Sequence, residues 1–179
     1  MEHPAKKYNS RTWVDPRVIV KNSTIEGQGG YATEPIKKGE IVIIVGGTLM
    51  TQQAFDAFVA NASKYDAIQI DEDLHLVDLS PNARAENGSL NHSCDSNLWM
   101  QDEVTIVARR DIQPGEELNI DYALSTTIPT WKLDYLCRCQ SPLCRHQITG
   151  NDWLIPDVQQ RYEGHFAPYI NRRIARLTG

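Results

Sequence analysis

Three cysteines near the C-terminal end of the chain have a spacing that suits a shared metal ion. They are Cys137, Cys139 and Cys144. Two cysteines separated by one residue are poorly placed to form a disulfide with each other, whereas both can direct sulfur at one cation. Three thiolates leave one position of a tetrahedral zinc site open, and a fourth ligand would leave no place for water. The spacing therefore predicts a structural Zn²⁺ rather than unrelated thiols. The candidates for the fourth ligand are Cys94, His92 and His146.

A glycine-rich segment could bring the backbone close to a ligand. Residues 27–32 read Gly-Gln-Gly-Gly-Tyr-Ala, which satisfies the G-x-G-x-x-G/A pattern of dinucleotide-binding folds. That pattern has meaning only when a strand precedes it and a helix begins inside it. Pro35 and Gly39 would interrupt such a helix within two turns. A dinucleotide site is therefore not expected, and the glycines indicate either a plain surface turn or a close backbone approach to another ligand.

Four motifs follow one another along the chain. Residues 27–29 read Gly-Gln-Gly, residues 91–97 read Asn-His-Ser-Cys-Asp-Ser-Asn, and residues 115–122 read Gly-Glu-Glu-Leu-Asn-Ile-Asp-Tyr. The three clustered cysteines come last. In this order they resemble the G-x-G loop, the N-H-S-C-x-P-N and G-E-E-L-x-x-D-Y signatures and the post-SET zinc motif of the SET-domain protein-lysine methyltransferases. Ser96 stands where the family usually has proline, and the resemblance covers about residues 17 to 153.

The resemblance implies a mainly β fold of small sheets with a knot-like threading. The segment around Asn91 would be crossed by the strand that leads to Tyr122. S-adenosylmethionine and the substrate would enter from opposite faces and meet through a narrow channel. The fourth zinc ligand would be Cys94, because the family takes it from the cysteine of the N-H-S-C motif.

The resemblance also implies which residues bind the cofactor and which line the substrate channel. Backbone atoms of the glycine loop would contact S-adenosylmethionine, while Asn91 and His92 would hold its amino-acid and adenine parts. Tyr122 would be the catalytic residue. Trp153 would either cover the adenine or the channel, or belong to the core. The cofactor-binding set is Gly27, Gln28, Gly29, Tyr31, Asn91, His92, Tyr122 and Trp153, and the channel set is Val45, Ile120 and Tyr122.

Methyl transfer from a sulfonium to a lysine depends on in-line positioning and on a neutral amine. The reference pKa of lysine is about 10.4. A dry channel that faces a positive sulfonium lowers this pKa, because burial and a like charge both disfavour the ammonium form. The hydroxyl of Tyr122 can orient the amine through a hydrogen bond. A phenol with a reference pKa of about 10 is, however, a poor general base at neutral pH.

Two positions depart from the family pattern. Ile120 stands where phenylalanine or tyrosine is usual, at a position associated with the number of methyl groups added. Isoleucine has no hydroxyl to restrain a methylated amine, so di- or trimethylation is predicted. Val45 falls where the family often has tyrosine, so one wall of the channel lacks its phenol unless another residue, such as Tyr65, supplies it.

The charge balance favours a basic partner. The 179-residue chain has a formal net charge of −5, whereas nucleic-acid binders are usually basic, so direct nucleic-acid binding is not expected. Acidic residues cluster between positions 56 and 78, where they would steer a Lys/Arg-rich protein such as a histone tail. A solvated loop is the alternative interpretation. The acidic residues are Asp56, Asp66, Asp71, Glu72, Asp73 and Asp78.

The apolar runs are too short to span a bilayer, the longest being residues 41–45. The first residues lack the hydrophobic stretch of a secretory signal. We therefore expect an intracellular protein, either cytoplasmic or, if it acts on histones, nuclear and chromatin-associated.

Short strands and a few helices are expected to position these residues. Alternating or β-branched runs predict strands at residues 18–20, 41–45 and 104–108, and strands or a hairpin over 68–79. Thr51 can cap a helix, Pro156 suits a first helical turn, and the apolar residues after position 169 recur at helical spacing beside three arginines that are expected to be solvated. The predicted divisions are an N-terminal arm (1–12), a SET domain (13–130), a post-SET zinc segment (131–153) and a C-terminal helical tail (154–179).

Two other functions compete with a methyltransferase. A catalytically weak or inactive SET-like module would bind cofactor or peptide without turnover, and the departures at Val45 and Ile120 favour it. A zinc-organised interaction domain without cofactor would leave the glycine loop and Asn91 without a purpose. The sequence specifies neither the substrate protein nor the oligomeric state.

Overall fold

The computed structural model describes residues 7–62 and 65–178. Most of its regular structure consists of short strands in two sheets. The larger sheet contains β1 (Trp13–Val14), β2 (Val18–Asn22), β3 (Gln28–Ala32), β4 (Ile41–Ile44), β8 (Asn91–His92), β9 (Leu98–Met100), β10 (Thr105–Ala108) and β11 (Glu117–Ile120). The smaller sheet contains β5 (Thr48–Thr51), β6 (Asp66–Asp71) and β7 (Leu74–Asp78). These elements confirm the predicted strands and the hairpin.

Strand β11 lies at the centre of the larger sheet, whose order is β1-β4-β10-β9-β11-β3-β2. It pairs antiparallel with β3 and parallel with both β8 and β9. The parallel register sets Asn119 opposite Asn91 and Ile120 opposite His92. The strand that leads to Tyr122 therefore lies directly against the Asn91 segment, as the predicted crossing requires.

The smaller sheet carries helix α1 (Gln52–Val59) and has the order β5-β7-β6. The side chain of Thr51 accepts the N–H of Ala54 at 3.2 Å, so Thr51 is the N-cap, as predicted. The buried face of α1 rests on β7, where Phe55 stacks on His75 at 4.2 Å between ring centroids. Helix α2 (Ala83–Glu86) follows the sheet and leads into β8.

Two similar turns pack against each other beneath the larger sheet. Ile36 and Ile112 precede these turns, are fully buried, and exchange both backbone hydrogen bonds at 3.0 and 2.8 Å. Gly39 and Gly115 take positive φ angles of 86° and 87° at the turns, a conformation that costs other residues energy. The sequence similarity of the two turns therefore reflects a shared geometry.

The C-terminal tail contains α3 (Pro156–Arg161) and α4 (Pro168–Thr178), and Pro156 occupies the first turn of α3, as predicted. The tail completes the main core with fully buried side chains such as Tyr162, Tyr169 and Ile170. The fold class is therefore confirmed as mainly β with a C-terminal helix.

The predicted domain boundaries remain predictions. Residues 1–6 of the predicted N-terminal arm lie outside the described residues. Further along the arm, the carbonyl of Asn9 accepts the N–H of Gly47 at 2.9 Å, and the hydroxyl of Thr12 accepts the N–H of Gly46 at 3.1 Å. Among the described residues, the helices are all too short or too polar to cross a membrane.

Candidate active site

A cavity of about 400 Å³ lies between the two sheets. All three residues predicted to line the substrate channel, Val45, Ile120 and Tyr122, are in its wall. Val45 follows β4, while Ile120 ends β11 and Tyr122 begins the 3-10 turn after it. The two sheets thus bring together side chains that are up to 77 positions apart in the sequence.

Tyr122 is held by its surroundings as a neutral phenol. Its hydroxyl donates to the carbonyl of Leu90 at 3.1 Å, and its ring lies 5.2 Å from that of His92. Burial raises the pKa of Tyr122 above its usual value, although the guanidinium of Arg84 opposes this effect. The side chain can therefore orient a polar group but is unsuited to remove a proton.

Tyr65 supplies a phenol to the wall in which Val45 replaces tyrosine. Both residues line the cavity. The ring of Tyr65 packs edge-on against Phe55 and Phe58 of α1, at centroid distances of 6.0 and 5.6 Å. The geometry is therefore consistent with Tyr65 supplying the phenol that Val45 lacks.

The glycine segment begins with Gly27 in the turn after β2 and continues as strand β3, which pairs antiparallel with β2. No helix begins inside it, so the dinucleotide-binding interpretation is excluded by the topology, as expected. Gly27 has a φ of 48° and faces open space, since a Cβ there would meet nothing within 4 Å. Gly29 differs, because a Cβ there would collide with the carboxylate of Glu117. Glycine at 29 is thus explained by packing, and glycine at 27 by the turn conformation.

Asn91 ties the glycine segment to the centre of the larger sheet. Its Nδ2 donates to the carbonyls of Glu26 and Gln28, both at 3.0 Å, and to the carboxylate of Glu117 at 2.9 Å. Its Oδ1 accepts from Arg84 at 3.2 Å. Asn91 therefore fixes the position of the segment predicted to bind the cofactor, and its side-chain nitrogen is already engaged.

Tyr31 and Glu117 form a second anchor for the same segment. The hydroxyl of Tyr31 donates to Glu117 at 2.8 Å, and the ammonium of Lys21 lies 4.1 Å from the centre of the Tyr31 ring. Ser23 donates to the same carboxylate at 2.7 Å. Tyr31 thus supports the glycine segment through Glu117. Glu117 lies in the G-E-E-L motif, but its role as an anchor was not predicted from the sequence.

Four cysteine sulfurs converge at the other side of Asn91. The Sγ atoms of Cys94, Cys137, Cys139 and Cys144 all lie within 4.8 Å of one another. Four Zn–S bonds of about 2.3 Å would separate tetrahedral sulfurs by about 3.8 Å, so the cluster fits Zn²⁺ with little adjustment. Without a cation, burial raises the pKa of the Cys94 thiol to about 12, and a bound metal is what would hold it as thiolate. His146 is exposed and outside this cluster.

His92 links the cysteine cluster to Tyr122. Its Nδ1 accepts the backbone N–H of Tyr122 at 3.2 Å, so the ring proton belongs on Nε2, which lies 3.2 Å from Cys94 Sγ. Burial lowers the pKa of His92 to about 4, and the ring is therefore neutral at physiological pH. His92 is suited to support a zinc ligand as a hydrogen-bond donor.

Arg145 connects three parts of the chain through a buried ion-pair network. Its guanidinium makes two bonds of 2.7 Å to Asp121, which is completely buried, and one of 2.8 Å to Asp152. Its backbone N–H donates to Cys94 Sγ at 3.3 Å. Burial alone would lower the pKa of Arg145, but its bonds to Asp121 raise the pKa above the usual value. This network was not predicted, because an arginine after a cysteine motif carries no distinctive sequence signal.

Trp153 packs in the core, in agreement with one of the roles considered for it. The residue is only 8% exposed and packs in the main hydrophobic cluster. Arg173 lies 5.7 Å from the centre of its ring. Trp153 is not among the described residues that line the cavity, and cofactor binding by Trp153 stays a prediction.

The acidic cluster is partly neutralised by the C-terminal helix. Arg172 pairs with Asp71 at 2.6 Å, and Arg173 pairs with Glu72. The expectation that these arginines are merely solvated is wrong for both of them, because α4 packs against the β6–β7 hairpin. The prediction of an open acidic surface that steers a basic protein is weakened accordingly.

Comparisons with known proteins agree with this geometry. Residues 27–123, more than half of the chain, match the SET domain family model. Similar sequences include the histone-lysine N-methyltransferase ash1 of Drosophila melanogaster (29% identical; 78% of this chain, 7% of that protein), trithorax of Drosophila virilis (31%; 73% and 4%) and human histone-lysine N-methyltransferase 2B (30%; 72% and 5%). This chain therefore corresponds to less than a tenth of each of these relatives.

A solved structure has the same fold. The methyltransferase domain of human histone-lysine N-methyltransferase SETMAR superposes with a TM-score of 0.56 at 23% identity, covering 75% of this chain and 58% of that one. At this identity the likeness concerns the fold alone. Together with the family match over residues 27–123, it leads to one conclusion: the chain belongs to the SET domain family.

Proposed function

We propose that this protein is a protein-lysine N-methyltransferase that transfers methyl groups from S-adenosylmethionine to a lysine of a basic protein such as a histone tail. The observation that carries the proposal is the cavity of about 400 Å³, with the Tyr122 side chain in its wall. A lysine side chain is long and narrow, and such a cavity removes its amine from water. The histone-lysine methyltransferase names of the relatives support the same reaction and substrate class.

The glycine turn and its anchors support S-adenosylmethionine as the methyl donor. When bound, this cofactor would supply an electrophilic methyl group on a sulfonium. Gly27 leaves open space beside its backbone, and the neighbouring Gln28 is exposed. Arg84 lies between Asn91 and the cavity and offers a guanidinium to a carboxylate. The proposed cofactor-binding set therefore stays as predicted, with Arg84 added to Gly27, Gln28, Gly29, Tyr31, Asn91, His92, Tyr122 and Trp153.

The residues of this chain would act by positioning and by excluding water. The Tyr122 hydroxyl would orient the lysine nitrogen, and the apolar side chains of Ile120 and Val45 would keep the amine dry. A dry environment disfavours the ammonium form. Ile120 offers no hydroxyl to restrain a methylated amine, which supports di- or trimethylation. The cysteine cluster would hold a structural Zn²⁺. An intracellular location, nuclear or cytoplasmic, is proposed with the substrate.

The test is transfer of labelled methyl from S-adenosylmethionine to histones and to a lysine-rich peptide mixture. Tyr122→Phe should lower transfer by about 100-fold, a typical effect of removing one positioned hydrogen-bonding group. Tyr169→Phe is the matched control, since its buried hydroxyl also donates to a carbonyl, that of Ser125 at 2.9 Å, but the residue is outside the cavity wall. Cofactor binding without transfer by the wild type would instead support a binding module.

A further inference from the structure

A carboxylate without an assigned role lies in the wall of the same cavity. Asp66 is the first residue of β6 and lines the cavity together with Tyr65, Tyr122 and Arg84. Strand β6 is an edge of the smaller sheet, because the sheet order is β5-β7-β6. The side chain is therefore carried by the sheet that faces Tyr122 across the cavity.

The carboxylate of Asp66 is stabilised by the backbone N–H of Ala67 and by the side chain of Asn87. Nδ2 of Asn87 donates to Asp66 at 3.0 Å and to Asp78 at 3.2 Å, and so holds the two acids together. Asp78 also accepts the N–H of Ser80 at 2.9 Å and is outside the cavity wall. Asp66 is thus the member of the pair that faces the cavity.

The groups around Asp66 stabilise the negative charge of its carboxylate only in part. Burial raises its pKa, and the nearby charge of Asp78 acts in the same direction. The bond from Asn87 and the guanidinium of Arg84 oppose this effect without cancelling it. Tyr122 faces Asp66 as a neutral phenol, and the other titratable groups in the described wall are Tyr65 and Arg84. A cation that entered the cavity would therefore be stabilised by Asp66.

We infer that Asp66 receives the ammonium group of the target lysine in this cavity and accepts a proton from it. The inference rests on the proposed function, since it assigns a further residue to the same site. In the step, one N–H bond of the ammonium breaks and leaves its electron pair on nitrogen, while an O–H bond forms on Asp66. Burial favours this exchange, because it converts two buried charges into a neutral amine and a neutral carboxyl group. The nitrogen then has the lone pair that methyl transfer requires.

Binding of n-butylammonium, which reproduces the end of a lysine side chain, tests the first half of the inference without turnover. An NMR titration of the wild-type protein should show tighter binding of n-butylammonium than of uncharged 1-butanol. Asp66→Asn should weaken n-butylammonium binding at least tenfold, and Asp66→Glu should restore part of it. Asp78→Asn is the matched control, because Asp78 shares the bond from Asn87 but does not line the cavity. Equal affinities in the wild type and Asp66→Asn would overturn the inference.

The pH dependence separates a charged role from a structural one. Affinity for n-butylammonium should fall as the pH is lowered through the raised pKa of Asp66, and Asp66→Asn should remove this fall. In methyl transfer, the Asp66→Asn rate should rise about tenfold per pH unit between pH 7 and 9, as free amine forms in solution, whereas the wild-type rate should rise less steeply. Parallel profiles would overturn proton acceptance by Asp66. A wild type that transfers no methyl would overturn the proposed function, while the binding comparison would still decide whether Asp66 recognises the ammonium.

Discussion

Hydrogen bonds determine which atoms carry protons around Tyr122. The backbone N–H of Tyr122 fixes the tautomer of His92, whose remaining N–H is directed at Cys94. The Tyr122 hydroxyl donates to the carbonyl of Leu90. His92 and Tyr122 are both neutral at physiological pH, because burial disfavours their charged forms. These two residues therefore orient other groups and do not act as strong bases. Asp66 is the proposed exception.

Under the proposed function, Ile120 would limit the room available to a methylated amine. It lines the cavity at the end of β11 and is 7% exposed. Replacing it with tyrosine adds bulk and a hydroxyl to the cavity, so Ile120→Tyr should shift the product towards monomethyl-lysine, while the wild type should form di- or trimethyl-lysine. Mass spectrometry of the product under excess S-adenosylmethionine measures this distribution. Ile120→Val keeps an apolar wall and should leave the distribution unchanged; a wild type that stops at one methyl would contradict the prediction.

Three elements meet at the carboxylate of Asp121. This residue follows β11 and caps the 3-10 turn of Tyr122, where its Oδ1 accepts the N–H of Ala123 at 3.1 Å. Arg145 brings the zinc segment to it, and Asp152 brings in the turn that precedes α3. The orientation of Tyr122 therefore depends on an ion-pair network between elements that are distant in sequence.

Replacing Arg145 should show how much its ion pairs contribute to stability. Arg145→Leu leaves the buried Asp121 without its partner, and should lower the free energy of unfolding by about 3–5 kcal/mol. Adding Asp121→Asn removes the uncompensated charge, so the double variant should be more stable than Arg145→Leu alone. Urea unfolding followed by circular dichroism measures both. If the effects of the two substitutions on the free energy of unfolding are additive, Arg145 and Asp121 are not energetically coupled.

The C-terminal part of the chain contacts two separate regions of the SET domain. Helix α4 is paired through Arg172 and Arg173 with the β6–β7 hairpin, which carries Asp66. The zinc segment closes a long loop between Cys94 and Cys137, next to the glycine turn, where Arg138 pairs with Glu26 at 2.8 Å. Segments that follow the matched SET region thus contact both the β6–β7 hairpin and the glycine segment.

Zinc should account for a large share of the stability of the whole molecule. The protein as isolated should contain one Zn²⁺ per chain, and its removal by a chelator should lower the midpoint of thermal unfolding by more than about 10 °C, since structural zinc contributes folding free energy directly. Cys139→Ser should have a similar effect. His146→Asn is the control, because His146 is exposed with a φ of 62°, which asparagine tolerates. Loss of zinc from His146→Asn, or a fully stable protein after chelation, would contradict the prediction.

The motifs by themselves indicated the family, the four clustered cysteines and three residues that line the cavity. Local pattern also predicted the strands, the Thr51 cap and the position of Pro156, because hydrophobic period and capping are properties of neighbouring residues. What these features share is that adjacent side chains or fixed spacings specify them.

Only the tertiary structure decided which charges meet. The pairing of Arg172 with Asp71 and of Arg145 with Asp121 joins residues 101 and 24 positions apart, and no local pattern encodes such a distance. The same holds for Trp153, whose burial depends on how the tail packs. Even Ser96, a departure from the family proline, is explained only by its neighbour, since its N–H donates to Tyr162 at 3.2 Å and proline has no N–H to give. Residue types determined what chemistry was available, and long-range packing decided which of those groups share a site.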